Sequence, residues 1–135
     1  MSILSHTEKK IYLGWHDVES LVDTLCTLIQ DHLIITSVHG ISRGGLIPAV
    51  MVSHKLNIPY VDTPTDTTLI IDDICDSGKT LKHLNALSTA TLHHKPHTSC
   101  YTPTIWSATH LGDEWIIYPW ELKESETIQD YKLLK

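Results

Sequence analysis

Leu69-Ile70-Ile71-Asp72-Asp73-Ile74-Cys75-Asp76-Ser77-Gly78-Lys79-Thr80 passes from an apolar run through three acids to a glycine turn. Its head is an apolar, largely β-branched run that suits a strand buried on both faces, and its tail is a polar turn with a glycine before a new helical start. The same order recurs upstream. Leu33 to Ile41 predicts a buried strand, Gly40, Gly44 and Gly45 a glycine loop, and Leu46 to Leu56 a helix that tolerates Pro48 in its first turn and stops at Asn57. Before it, Trp15, Val18, Leu21, Val22, Leu25, Cys26 and Ile29 recur at helical spacing, with Asp17 and Glu19 placed favourably near the N-terminus. Short strands are predicted at Ile58 to Val61 and Thr68 to Ile71, joined by a turn over Asp62 to Thr67. Downstream, Leu81, Leu84, Leu87 and Ala90 predict a helix from Thr80 to Leu92, and strands are predicted at Thr98 to Tyr101 and Trp115 to Tyr118. Alternation of this kind implies an α/β fold, a central parallel sheet flanked by helices, with ligands beyond the carboxyl ends of the strands.

A chain of 135 residues fits one domain and one core. Its apolar runs are too short for a bilayer crossing, and Met1 to Gly14 lacks the apolar stretch of a secretory signal, so no membrane partner is expected and the cytoplasm is the expected location. Net charge is −6, with Lys and Arg scattered rather than gathered into a stripe, which argues against nucleic acid. Cys26, Cys75 and Cys100 are odd in number and widely spaced, as ordinary thiols in a reducing compartment would be. The polar C-terminus is expected to be only partly ordered.

The chemistry concentrates after the central strand. A helix start leaves its first backbone N–H groups without intrahelical partners, so the Ser77 to Thr80 turn can cradle a phosphate. Asp72 and Asp73 just upstream would repel that anion unless they serve sugar hydroxyls or a magnesium ion, the natural partners of acceptor-only groups. A nucleoside-triphosphate P-loop fails on spacing, because its pattern needs glycine at position 73 and this chain has Asp73. In the upstream loop, Arg43 offers a fork of donors to anionic oxygens, and Gly44 and Gly45 let backbone amides approach the same anion.

The run LIIDDICDSGKT resembles the signature that binds phosphoribosyl pyrophosphate (PRPP) in type I phosphoribosyltransferases. The resemblance implies that Asp72 and Asp73 hold the ribose hydroxyls and the Mg²⁺ shell, partly through water. It gives Ser77, Gly78, Lys79 and Thr80 the 5′-phosphate, and Asp76 the role of general base facing N7 of a purine. Val38 to Pro48 resembles the pyrophosphate loop of the xanthine-guanine and hypoxanthine enzymes, which implies that Ser42, Arg43, Gly44 and Gly45 hold the leaving group, Arg43 in a catalytic role, across a cis Ser42–Arg43 peptide. Asp113 to Glu121 resembles their hood, built from roughly residues 104–135 with the N-terminal segment. There Trp115 would stack on the base, the backbone of Ile116 and Ile117 would read its edge, and Trp120 and Glu121 would support the loop. The implied reaction transfers the 5-phosphoribosyl group from PRPP to xanthine, guanine or hypoxanthine, in a homo-oligomer.

The pattern departs from the family at two places. About six residues join Asp62 to Leu69, where active members carry a long flexible loop that closes over the ribose. The lysine of a Lys-Pro pair that contacts O6 of the base is read at Thr102, ahead of Pro103. Both departures favour the alternative of a non-catalytic PRPP- or nucleotide-binding module, and transfer to another nitrogenous acceptor is a third reading. His93, His94 and His97 read as a solvated loop after a helix rather than a metal site, and Trp15 and His16 as core and capping.

Overall fold

The computed structural model describes residues 9–121. Segments 1–8 and 122–135, with the outer part of the expected hood and the expected C-terminal disorder, lie outside the described residues. In chain order the elements are β1 Lys10–Tyr12, α1 Trp15–His32, β2 Ser37–Gly40, α2 Leu46–Leu56, β3 Thr68–Cys75, α3 Lys79–Leu84, β4 Thr89–His94, β5 Ile105–Thr109 and β6 Trp115–Ile117. Four parallel strands form the sheet in the order β2-β3-β4-β5, and β1 pairs in parallel with β6 in a separate ribbon. The central parallel sheet expected from the alternating pattern is therefore present.

Burial explains the layers. Helix α1 turns Val18, Val22, Leu25, Cys26 and Ile29 inward, and these join Val38, Ala49, Val52, Leu69, Ile71, Ala90 and Leu92 in the principal core. A smaller cluster of Ile41, Ile70, Cys75 and Leu81 fills the side of the sheet beneath α3. Successive residues Leu69, Ile70 and Ile71 thus face opposite layers, as period-two side chains of a doubly covered strand must. At its start, the carboxylate of Asp17 accepts the Gly14 N–H at 2.8 Å. The stop expected at Asn57 is a left-handed cap whose N–H donates to the Ser53 carbonyl.

Four expectations about elements are corrected. The helix predicted over Thr80 to Leu92 is two elements, because Asn85 takes a left-handed φ of 51° and ends α3 at Leu84. Leu87, predicted on the apolar face, is 74% exposed, and Thr89–His94 runs as a strand between β3 and β5. His93 and His94 are consequently buried strand residues and not a solvated loop. The last sheet strand is Ile105–Thr109, whereas Thr98 to Tyr101 is irregular. The strand predicted from Leu33 starts at Ser37, and Ile34 is 98% exposed. Of Ile58 to Val61 only Tyr60 bridges to Val38. Trp15 is half exposed, its ring tilted against Trp120 at 5.9 Å rather than sunk in the core.

Candidate active site

Parallel strands bring the loops after β2, β3 and β4 to one edge of the sheet. The first two interlock: Ile41 N–H donates to the Ile71 carbonyl at 2.9 Å and Gly45 N–H to the Ile41 carbonyl at 2.8 Å. Gly44 packs so close to the Asp73 carboxylate that a Cβ there would overlap it. The Ser42–Arg43 peptide is cis, as the resemblance implies, and both residues are exposed. Around the acidic pair the chain folds on itself: Asp72 Oδ1 accepts the Asp73 N–H at 2.9 Å and Asp73 Oδ1 the Ile74 N–H at 2.7 Å. Asp72 is buried and Asp73 half-buried.

The turn that follows depends on Gly78, whose φ of +80° favours glycine and whose missing Cβ leaves room for Ser99 and Tyr101. It launches α3 at Lys79, and Cys100 N–H donates to the Ser77 carbonyl at 2.8 Å, fixing the turn to the loop after β4. That loop also reaches Asp76. The Thr98 hydroxyl donates to Asp76 Oδ1 at 2.6 Å, and Lys95 Nζ lies 3.8 Å from Oδ2.

Lys95 is the residue that sequence reasoning missed. Only 4% exposed, it directly follows β4 and donates from Nζ to the Glu114 carbonyl at 3.2 Å. The same ammonium stands 5.7 Å from the Trp115 ring centroid, over its face. The sequence holds a Lys-Pro pair at Lys95–Pro96, ahead of Thr102–Pro103. Thr102 is exposed and, among the described residues, hydrogen-bonds to neither Asp76 nor Trp115. The signal was available: a lysine before proline, directly after the run Thr89 to His94.

The Asp62 to Thr67 connection is short, as read. It returns to the start of β3, at the edge opposite the loops, where Thr36 and Thr67 hydroxyls bond at 2.6 Å and Ser37 and Thr68 at 2.8 Å. Cys26 and Cys75 are buried free thiols and Cys100 is exposed. Burial, outweighing a hydrogen bond from Ser99, pushes the Cys75 thiol up to about 11, which keeps it protonated and inert.

Beneath the site, burial first, then His110 and Lys95, lowers the pKa of His93 from 6.5 to about 4. Between those values the unfolded chain binds a proton that the folded chain refuses. Stability is therefore expected to be flat with respect to this group above pH 6.5 and to fall by up to about 3 kcal/mol as pH drops toward 4. Thermal melting across pH 8 to 4 checks this, and a His93→Phe variant whose melting declines as steeply in acid would refute it.

Comparison with known proteins agrees with this geometry. No family model matches the chain. A purine phosphoribosyltransferase from Pyrococcus horikoshii superposes with a TM-score of 0.74 at 26% identity, over 90% of this chain and 99% of that one. Helicobacter pylori xanthine-guanine-hypoxanthine phosphoribosyltransferase superposes with a TM-score of 0.69 at 19% identity, covering 94% and 97%. The fold is that of the type I phosphoribosyltransferases. In sequence, xanthine-guanine phosphoribosyltransferase from Cereibacter sphaeroides is 30% identical over 149 aligned positions, 85% of this chain and 89% of that protein. The chain belongs to the xanthine-guanine phosphoribosyltransferase family.

Proposed function

We propose that this chain transfers the 5-phosphoribosyl group from PRPP to a 6-oxo purine, releasing pyrophosphate. One observation carries the reading: the two anion loops interlock through Gly44 and Asp73, while Asp76, Lys95 and Trp115 converge beside them. Ser77 to Thr80 hold the 5′-phosphate, and Ser42, Arg43, Gly44 and Gly45 the pyrophosphate. Asp72 and Asp73 face the ribose diol. Trp115 stacks on the base and the Ile116 backbone reads its edge. Lys95 takes the O6 contact first assigned to Thr102, because an ammonium offers only donors and O6 only accepts.

Among the described residues no group of three or more His, Cys, Asp or Glu side chains is placed to hold a metal. Two adjacent carboxylates nevertheless suit Mg²⁺, which is commonly bound through one or two carboxylates, with water and substrate phosphates completing its shell. Asp72 and Asp73 would hold it, and when bound it would neutralise charge on the departing oxygens. The protein's own share is to orient the two substrates and offer preorganised charge as the C1–O bond opens: Arg43 and the loop amides toward pyrophosphate, Asp76 toward the N7 proton.

Incubating the protein with PRPP, Mg²⁺ and guanine, xanthine or hypoxanthine is expected to give the matching nucleotide, and no product with any of the three would discard the proposal. The non-catalytic alternative loses one of its two grounds, since the lysine it counted as missing is Lys95. A single domain, a homo-oligomer and a cytoplasmic setting remain part of the proposal. The three unpaired cysteines fit that setting, and no helix among the described residues is long and apolar enough to cross a membrane.

A further inference from the structure

Tyr118 follows β6 and is 1% exposed, yet its hydroxyl touches the backbone of the PRPP loop. It lies 3.2 Å from the Asp73 carbonyl oxygen and 2.7 Å from His93 Nδ1. A carbonyl can only accept, so satisfying both contacts sends the phenolic proton to Asp73 and requires His93 to present Nδ1–H. Both protonation states suit this. A phenol keeps its proton near neutral pH. His93, with its pKa lowered to about 4, is neutral near pH 7 and carries one ring proton to give.

The tie is stiff. The Tyr118 ring stacks on Trp120 with centroids 5.0 Å apart and planes 4° from parallel, and its N–H donates to Glu121 Oε1 at 2.8 Å. His93 is anchored in β4 opposite Ile74 of β3. Trp115 and Ile116 are close by on the same segment. One phenol therefore joins the base-reading strand to the peptide that carries the diol-facing carboxylates.

We propose that Tyr118, oriented by His93, is a positioning residue of the transfer reaction, fixing the Asp73 backbone against β6 so that Asp72 and Asp73 are aimed at the ribose of PRPP. This rests on the function proposed above. Removing only the hydroxyl, in Tyr118→Phe, keeps the ring, its stack and its burial. The expected result is a KM for PRPP raised about three- to tenfold, the range of one net hydrogen bond, with the KM for guanine within about twofold and melting little changed. A general loosening of the hood would instead raise both KM values together.

His93 supplies a second route should Tyr118→Phe fail to fold. His93→Leu, which leaves Tyr118 without its orienting donor, is expected to raise the KM for PRPP in the same selective way, and His93→Asn to restore it, since the amide N–H can donate from near the Nδ1 position. An unchanged KM for PRPP in Tyr118→Phe and His93→Leu, or a parallel rise in both substrates, overturns the inference while leaving the function standing. Wild-type protein that binds no PRPP by calorimetry overturns the proposed function and this inference with it.

Discussion

Asp76→Asn is expected to lower turnover by about 10²- to 10⁴-fold, the range by which a positioned general base contributes, while leaving the affinity for PRPP nearly intact. The substitution is close to isosteric. Asparagine Oδ1 can still accept the Thr98 hydroxyl, which lies 2.6 Å from the present Oδ1, so the side chain keeps its anchor. What disappears is a negative charge and the proton acceptor proposed to face the base. The contacts proposed for the sugar and both phosphates, at Asp72, Asp73, Arg43 and the loop amides, are untouched. A loss confined to kcat at saturating PRPP is the signature of an interaction made in the transition state. Steady-state kinetics beside PRPP calorimetry separates the cases: an unchanged rate discards the general-base role, and an equal loss of PRPP binding makes Asp76 a binding group instead.

Much of that site is legible in the sequence because each phosphate loop is local. Leu69 to Thr80 holds a strand, its carboxylates, its glycine turn and the next helix start within one uninterrupted run, so no knowledge of tertiary neighbours is needed to read it. The same holds for Val38 to Pro48. Elements failed where two periods coincide. Leu81, Leu84, Leu87 and Ala90 satisfy a helical spacing, yet Thr89 to His94 equally satisfies a buried β run, and tertiary demand decides because β3 needs a partner on its second edge. Asn85 was the local sign of the break, a residue that tolerates the left-handed cap it adopts.

Misreading β4 is also what hid Lys95. In a chain pictured as helical to Leu92, the next residues belong to a surface loop, and the Lys-Pro pair there carries no special position. Once β4 runs parallel to β3, its carboxyl end must emerge beside Asp76, and the register puts Cys75 opposite His94 with Lys95 next in line. Buried histidines follow from the same correction. His93 and His94 look like solvated loop residues in isolation, and become interior groups only because the central position of β4 covers them on both sides.

Lys95→Met is expected to cost about 10- to 100-fold in kcat/KM for guanine and hypoxanthine, the equivalent of one hydrogen bond from a charged donor. Methionine keeps an unbranched chain of comparable length, so the space beside Trp115 stays filled and the change isolates the ammonium. That ammonium is held in place by the Glu114 carbonyl at 3.2 Å and stands over the Trp115 ring at 5.7 Å. A stacked base and a cation projecting from the same wall would define both the plane of the purine and the edge that must accept a proton donor. Lysine has three donors and no acceptor, so it favours a 6-oxo group and disfavours a 6-amino group. The loss should therefore be selective: discrimination between guanine and adenine narrows, whereas the KM for PRPP stays within about twofold because no proposed phosphate contact is removed. Comparing kcat/KM for guanine, hypoxanthine and adenine in the variant and the wild type measures this directly. Equal losses across oxo and amino purines would reduce Lys95 to a packing residue behind Asp76, and the base specificity would then have to come from the β6 backbone alone.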